Sequence, residues 1–151
     1  MDGSGTTEAV ASGSMARIGT LGADELSAGA GVTALFGLGG SDTLTGTAAS
    51  QTLAGGAGDD MYMLLDALDF VLEGSGGGAD TIMTWMDMTL PDHVEMAVIA
   101  PDVSGITVTG GAGNDMLIGN GLSNNFNGGA GDDVILAGNV TLADIYALFN
   151  I

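Results

Sequence analysis

From Gly19 onward a large apolar residue returns every nine positions: Leu26, Leu35, Leu44, Leu53 and Tyr62, then Ile82, and later Leu117, Phe126 and Ile135. Each sits in the middle of a three-residue stretch that follows about six glycine-rich, polar residues. Three residues with one inward side chain predict a short β-strand, and the glycine-rich stretch predicts a tight turn. Two such units make one coil, so the pattern predicts an all-β parallel β-roll, a β-solenoid with a column of turns along each side. Each coil buries its apolar face only against its neighbours. The period weakens over residues 84–109, where TWMDMTL and VEMAVIA read as strands joined through Pro91, Asp92 and His93. It changes in kind at the C-terminus. Leu142, Ile145, Tyr146 and Phe149 fall at helical spacing behind Thr141, a good N-cap, which predicts a short helix capping the open end of the roll.

The nonapeptides run without a gap from Gly19 to Met63: GTLGADELS, AGAGVTALF, GLGGSDTLT, GTAASQTLA and GGAGDDMYM. A second array starts at Gly110 with GGAGNDMLI, GNGLSNNFN and GGAGDDVIL, and an isolated copy, SGGGADTIM, covers Ser75–Met83. The shared template is G-G-x-G-x-D-x-U-x, with U a large apolar residue. It resembles the calcium-binding nonapeptide repeat of the RTX (hemolysin-type) family. The stretch from Gly39 to Gly138 also resembles a longer unit of secreted RTX proteins. In that unit a GGAGDD turn is followed by an acidic strand (Asp66–Glu73), a GGG-x-DT turn (Gly76–Thr81) and a TLP-x-x-VE segment (Thr89–Glu95).

Calcium takes six to eight oxygens from carboxylates and backbone carbonyls, and a glycine-rich turn with one Asp offers both. Turns stacked in one column lie 18 residues apart, the spacing of Asp24, Asp42 and Asp60, and again of Asp115 and Asp133. These five, with Asp80, are the expected metal ligands. The carbonyls of Gly22, Gly40, Gly56, Gly58, Gly111, Gly113, Gly129 and Gly131 are expected to complete the sites. The opposite column carries Thr33, Gln51 and Asn124, so calcium is expected along one edge only. Asp59 and Asp132, at the variable fifth position, are expected to face solvent.

Composition narrows the function. Nineteen acidic residues against the single Arg17 give a formal charge of −18. Nucleic acid is excluded as a natural partner, since neutralising phosphates takes clustered basic residues. Anionic membrane surfaces are excluded likewise, and no apolar run is long enough for membrane insertion. Divalent cations are the natural counter-charge. There is no cysteine. MDGSGTTEAVASGSMAR has neither the basic nor the apolar region of a secretory signal peptide.

Chemistry of the catalytic kind is not expected. His93 is the one histidine and no motif marks a nucleophile, so the chain reads as no enzyme. Asp66, Asp69 and Glu73 alternate with apolar residues and read as a solvated strand face plus a calcium ligand. Trp85 reads as packing against the roll. The expected organisation is a flexible or partner-docked tail (1–18), a first array (19–63), irregular coils (64–109), a second array (110–138) and a helical cap or secretion or docking tail (139–151). The expected role is a calcium-folded building block of a surface or particle, extracellular or at the cell surface. It would assemble with itself or with a protein partner through the N-terminal tail. Two alternatives remain: the C-terminal module of a type I-secreted protease, lipase or epimerase, and a phage-like virion decoration protein. The Met1-Asp2 start and the short length weigh against the enzyme module.

Overall fold

The computed structural model describes residues 7–11, 14–47 and 50–138. Among them there is no helix. The strands, in chain order, begin with β1 (Thr7–Ala11), β2 (Ser14–Ile18), β3 (Glu25–Ser27), β4 (Val32–Gly39), β5 (Thr43–Gly46), β6 (Thr52–Ala57), β7 (Met61–Leu64) and β8 (Phe70–Val71). They continue with β9 (Thr81–Thr84), β10 (Met88–Thr89), β11 (Met96–Ile99), β12 (Thr107–Thr109), β13 (Met116–Ile118), β14 (Asn125–Asn127) and β15 (Val134–Leu136). One face is a continuous parallel sheet in the order β3-β5-β7-β9-β11-β13-β15. The other is split into β1-β2-β4-β6-β8 and β10-β12-β14. The chain thus alternates between faces and winds as a parallel β-solenoid.

The register follows the apolar period. On the continuous face Leu26, Leu44, Tyr62, Ile82, Ala97, Leu117 and Ile135 are successive partners. All but Ile135 at the terminal strand are buried. On the split face Leu35, Leu53 and Val71 form the facing ladder, also buried. Short strands suffice because each needs to present only one inward residue, and the neighbouring coils supply the rest of its contacts.

Two features differ from the sequence expectation, the start of the roll and a break in its split face. The roll begins before Gly19: β2 pairs parallel with β4, and β1 folds back on β2 antiparallel. Neither segment carries a nonapeptide, so the repeat could not place them. Arg17 stands in the register of Leu35, and its Nη1 donates to the Ser27 carbonyl on the first strand of the facing sheet, at 2.8 Å. The chain's one basic side chain of the Lys/Arg type thus reaches across the N-terminal end of the roll. The irregular coils keep the winding. Asp60 to Asp80 and Glu95 to Asp115 each span 20 residues, yet β7, β9, β11 and β13 stay in one ladder. Second, β8 and β10 do not pair, which breaks the split face between residues 71 and 88. The predicted C-terminal helix lies outside the described residues. No helix among the described residues is long and apolar enough to cross a membrane.

Candidate metal centre

The turns that lead into the continuous sheet stack into one column, and their acidic residues form a ladder. Asp24 N–H donates to Asp42 Oδ1 (2.8 Å), Asp42 N–H to Asp60 Oδ1 (2.8 Å) and Asp60 N–H to Asp80 Oδ1 (2.8 Å). Asp80 N–H donates to Glu95 Oε2 (2.9 Å) and Asp115 N–H to Asp133 Oδ1 (3.0 Å). Asp42, Asp60, Asp80, Glu95 and Asp133 therefore each spend one oxygen on the backbone of the preceding turn. What the other oxygen does separates the sites.

Within the column Asp42, Asp60 and Asp80 are 2%, 2% and 1% exposed, and their Oδ2 atoms are buried without a hydrogen bond. Burying a carboxylate oxygen with no donor costs several kilocalories unless a cation or proton answers it. Asp24 and Asp115 differ, because each opens an array. Asp24 Oδ2 accepts from Thr20 N–H (2.6 Å) and Thr20 Oγ1 (2.9 Å), and Asp115 Oδ2 accepts from Gly111 N–H (2.7 Å). Asp133 is half-buried.

The neighbours of these oxygens come from the first glycine of each unit. A Cβ on Gly37 would collide with Asp42 Oδ2 and with the Gly55 carbonyl, so both oxygens converge on that point. The same pairing joins Asp24 Oδ2 to the Gly37 carbonyl at Gly19, and Asp115 Oδ2 to the Gly128 carbonyl at Gly110. These first-position carbonyls were not among the expected ligands, although their signal is in the sequence, where a glycine heads every aspartate unit of this column except the one that starts at Ser75. Among the expected carbonyls, those of Gly40, Gly58, Gly111 and Gly113 face the following turn, against Gly58, Gly78, Gly129 and Gly131. The Gly56 carbonyl faces Gly77, and that of Gly22 accepts from Thr20 Oγ1 at 3.3 Å. Gly129 and Gly131 hold φ of 93° and 133° in the last described turn.

Burial and mutual repulsion act on the acids together. Desolvation pushes Asp60 up to about 6, with the charges of Asp42, Glu73 and Asp59 adding to it. Desolvation also pushes Asp80 up to about 6, helped by Glu73, Asp60 and Glu95. Asp42 and Asp115 rise for the same first cause. Oxygen-only donors, several of them anionic, suit a hard cation that tolerates irregular coordination, which is calcium rather than magnesium.

Two acids stand where the template did not put them. Glu95 fills the column between Asp80 and Asp115. The opposite column is not free of carboxylate: Asp69, one residue before the Thr52–Phe70 pair, accepts from Gln51 N–H at 3.2 Å. Asp69 Oδ2 is buried and accepts no hydrogen bond, and burial raises its pKa. The segment before it, Leu64–Leu68, lacks glycine, which hid its phase. Asp59 and Asp132 are exposed, Asp59 accepting from Ala79 N–H. His93 is exposed, with φ of 66°, beside Glu95 and Asp115 in a cleft on the calcium-type edge. Trp85 is half-buried in the turn after β9.

The family model described as RTX calcium-binding nonapeptide repeat (4 copies) matches residues 34–64 and 118–139. The chain carries RTX calcium-binding repeats, wound as a parallel β-roll. An endo-1,3-1,4-beta-glycanase, ExsH, of Rhizobium meliloti (strain 1021) is similar to this chain at 37% identity over 78 residues. That match covers 52% of this chain and 14% of the glycanase. No solved structure matches.

Proposed function

We propose that this RTX roll is a module that folds on calcium and serves as a building block of an extracellular surface or particle. The observation that carries the reading is the row of buried, unpartnered oxygens on Asp42, Asp60 and Asp80. Such oxygens are stable only with protons or cations, and at neutral pH calcium is the available answer. Asp24, Asp42, Asp60, Asp80, Asp115 and Asp133 are the proposed carboxylate ligands. The first-position carbonyls of Gly37, Gly55 and Gly128 are added to those expected from the template. Calcium supplies the positive charge that a chain of formal charge −18 lacks.

Circular dichroism of the chain with calcium and after chelation tests the metal dependence. The β-signal should collapse on chelation and return with micromolar-to-millimolar calcium. An unchanged spectrum would mean that the apolar ladder alone holds the fold.

A second reading, a calcium-binding accessory module of a secreted enzyme, is favoured by the glycanase match, which occupies 14% of that protein. Sedimentation of the calcium-loaded chain separates the two. Growth into oligomers supports the building block, whereas a persistent monomer supports the accessory module.

A further inference from the structure

The step between Asp60 and Asp80 is built differently from the regular ones. At a regular step a neutral carbonyl stands beside the free aspartate oxygen, as the Gly55 carbonyl does beside Asp42 Oδ2. One turn further on, the glycine is replaced. Asp60 Oδ2 lies against Gly55, as the pattern requires, but its companions there are the Tyr62 hydroxyl and the carboxylate of Glu73. Glu73 is 9% exposed. Its Oε1 accepts from the Tyr62 hydroxyl and from Gly55 N–H at 3.2 Å, and its Oε2 accepts from Gly74 N–H at 3.1 Å.

We propose that Asp60, Glu73 and Asp80 form a three-carboxylate calcium site that fills first on the roll, with Tyr62 as the positioning residue for Glu73. One oxygen from each acid lies within 4.8 Å of the others. Asp60 and Asp80, both almost fully buried, each keep an Oδ2 that accepts no hydrogen bond. Replacing a carbonyl by a carboxylate adds a full negative charge to the ligand set, and calcium affinity rises with ligand charge and with rigidity. Rigidity comes from Tyr62, which is fully buried in the inward ladder between Leu44 and Ile82. Its ring packs in the core while its hydroxyl donates to Glu73 and accepts from Gly55 N–H at 2.7 Å. The other inward residues of this ladder have no polar tip, so this one step has both an extra charge and a fixed holder for it.

The proposal rests on the reading of the column as a calcium edge, and the test keeps the two apart. Calcium titration of the full chain by calorimetry should resolve one tightest ion ahead of the rest. Glu73→Gln should lose that first class while the later ions bind as in the wild type. Tyr62→Phe should keep the number of ions and weaken the first by about tenfold, the effect of losing an outer-shell partner. A first class left intact by Glu73→Gln overturns the inference and leaves the calcium edge standing. A wild-type chain that binds no calcium overturns both. Terbium provides a readout that survives a folding defect in Glu73→Gln. Its first equivalent should be sensitised in the wild type and lose most of that emission in Tyr62→Phe, and equal emission from the two chains counts against the site.

Discussion

At the scale of single residues the turn column shows how the repeat works and where this chain departs from it. The second and fourth positions of a unit take left-handed backbone, as Gly56 (φ 105°) and Gly58 (φ 124°) do. At Gly58 a side chain is also sterically barred, because a Cβ would enter the Gly40 carbonyl. Leu38 occupies the second position of its unit with φ 79°, in register with Gly56, and its side chain is largely exposed. A left-handed non-glycine residue costs about 1–2 kcal/mol, while glycine's extra freedom in the unfolded chain costs about 0.5–1 kcal/mol. Leu38→Gly should therefore stabilise the calcium-loaded chain by roughly 0.5–1 kcal/mol, read as a raised melting temperature. A lower melting temperature would show that the exposed leucine contributes more by packing than its backbone loses. Aspartate phase was legible in the sequence wherever the template was intact. Glu95 and Asp69 were not, since LPDHV and LLDAL lack the glycines that announce a turn, and only strand pairing assigns them their places.

At the scale of the column, acids that are separate in sequence become one titrating unit. In the folded, metal-free roll burial holds Asp60 and Asp80 up at about 6, against 3.8 for the unperturbed group. The folded state then binds more protons than the unfolded one between pH 4 and 6. Its stability is fully present below about pH 4 and is lost as pH rises through about 6. A calcium-depleted chain should accordingly gain β-structure and melting temperature on acidification from pH 7 to about 4. The calcium-loaded chain should show the opposite trend, because its ligands must shed protons to bind. Circular dichroism melts across this range, with and without calcium, check both arms. A depleted chain that loses structure on acidification would mean that these carboxylates carry ordinary pKa values and are solvated. The coils themselves were legible because a nine-residue period is a local signal. The two-residue lengthening between Asp60 and Asp80 was legible too, as the gap before SGGGADTIM, but its consequence was not. Nothing in the spacing says that Glu73 turns inward to meet Tyr62.

For the whole molecule, the balance lies between a narrow apolar ladder and a charge of −18 carried on 14.8 kDa. The core is a narrow stack, running from Leu26 to Leu117 on one face and from Leu35 through Val71 to Val108 on the other, with Leu64, Leu90, Val94 and Ile99 beside it. Against it stand repulsion among all the acids and the desolvation of those in the column. The two opposing terms respond differently to ions. Repulsion between exposed acids is screened by any salt, since the Debye length falls from about 10 Å at 0.1 M to about 3 Å at 1 M. The orphaned oxygens of Asp42, Asp60 and Asp80 are out of reach of that screening, because they are buried and need a ligand bonded to them. Molar sodium chloride should therefore restore little β-structure to a chelated chain at neutral pH, while millimolar calcium at low ionic strength restores all of it. Magnesium at the same concentration should fall well short of calcium, since it resists dehydration and demands octahedral geometry. Circular dichroism of the chelated chain titrated with each salt in turn is the measurement. If sodium chloride alone refolded the chain, diffuse repulsion would be the whole barrier to folding. The carboxylate column would then be a surface feature that calcium decorates rather than the element that calcium completes.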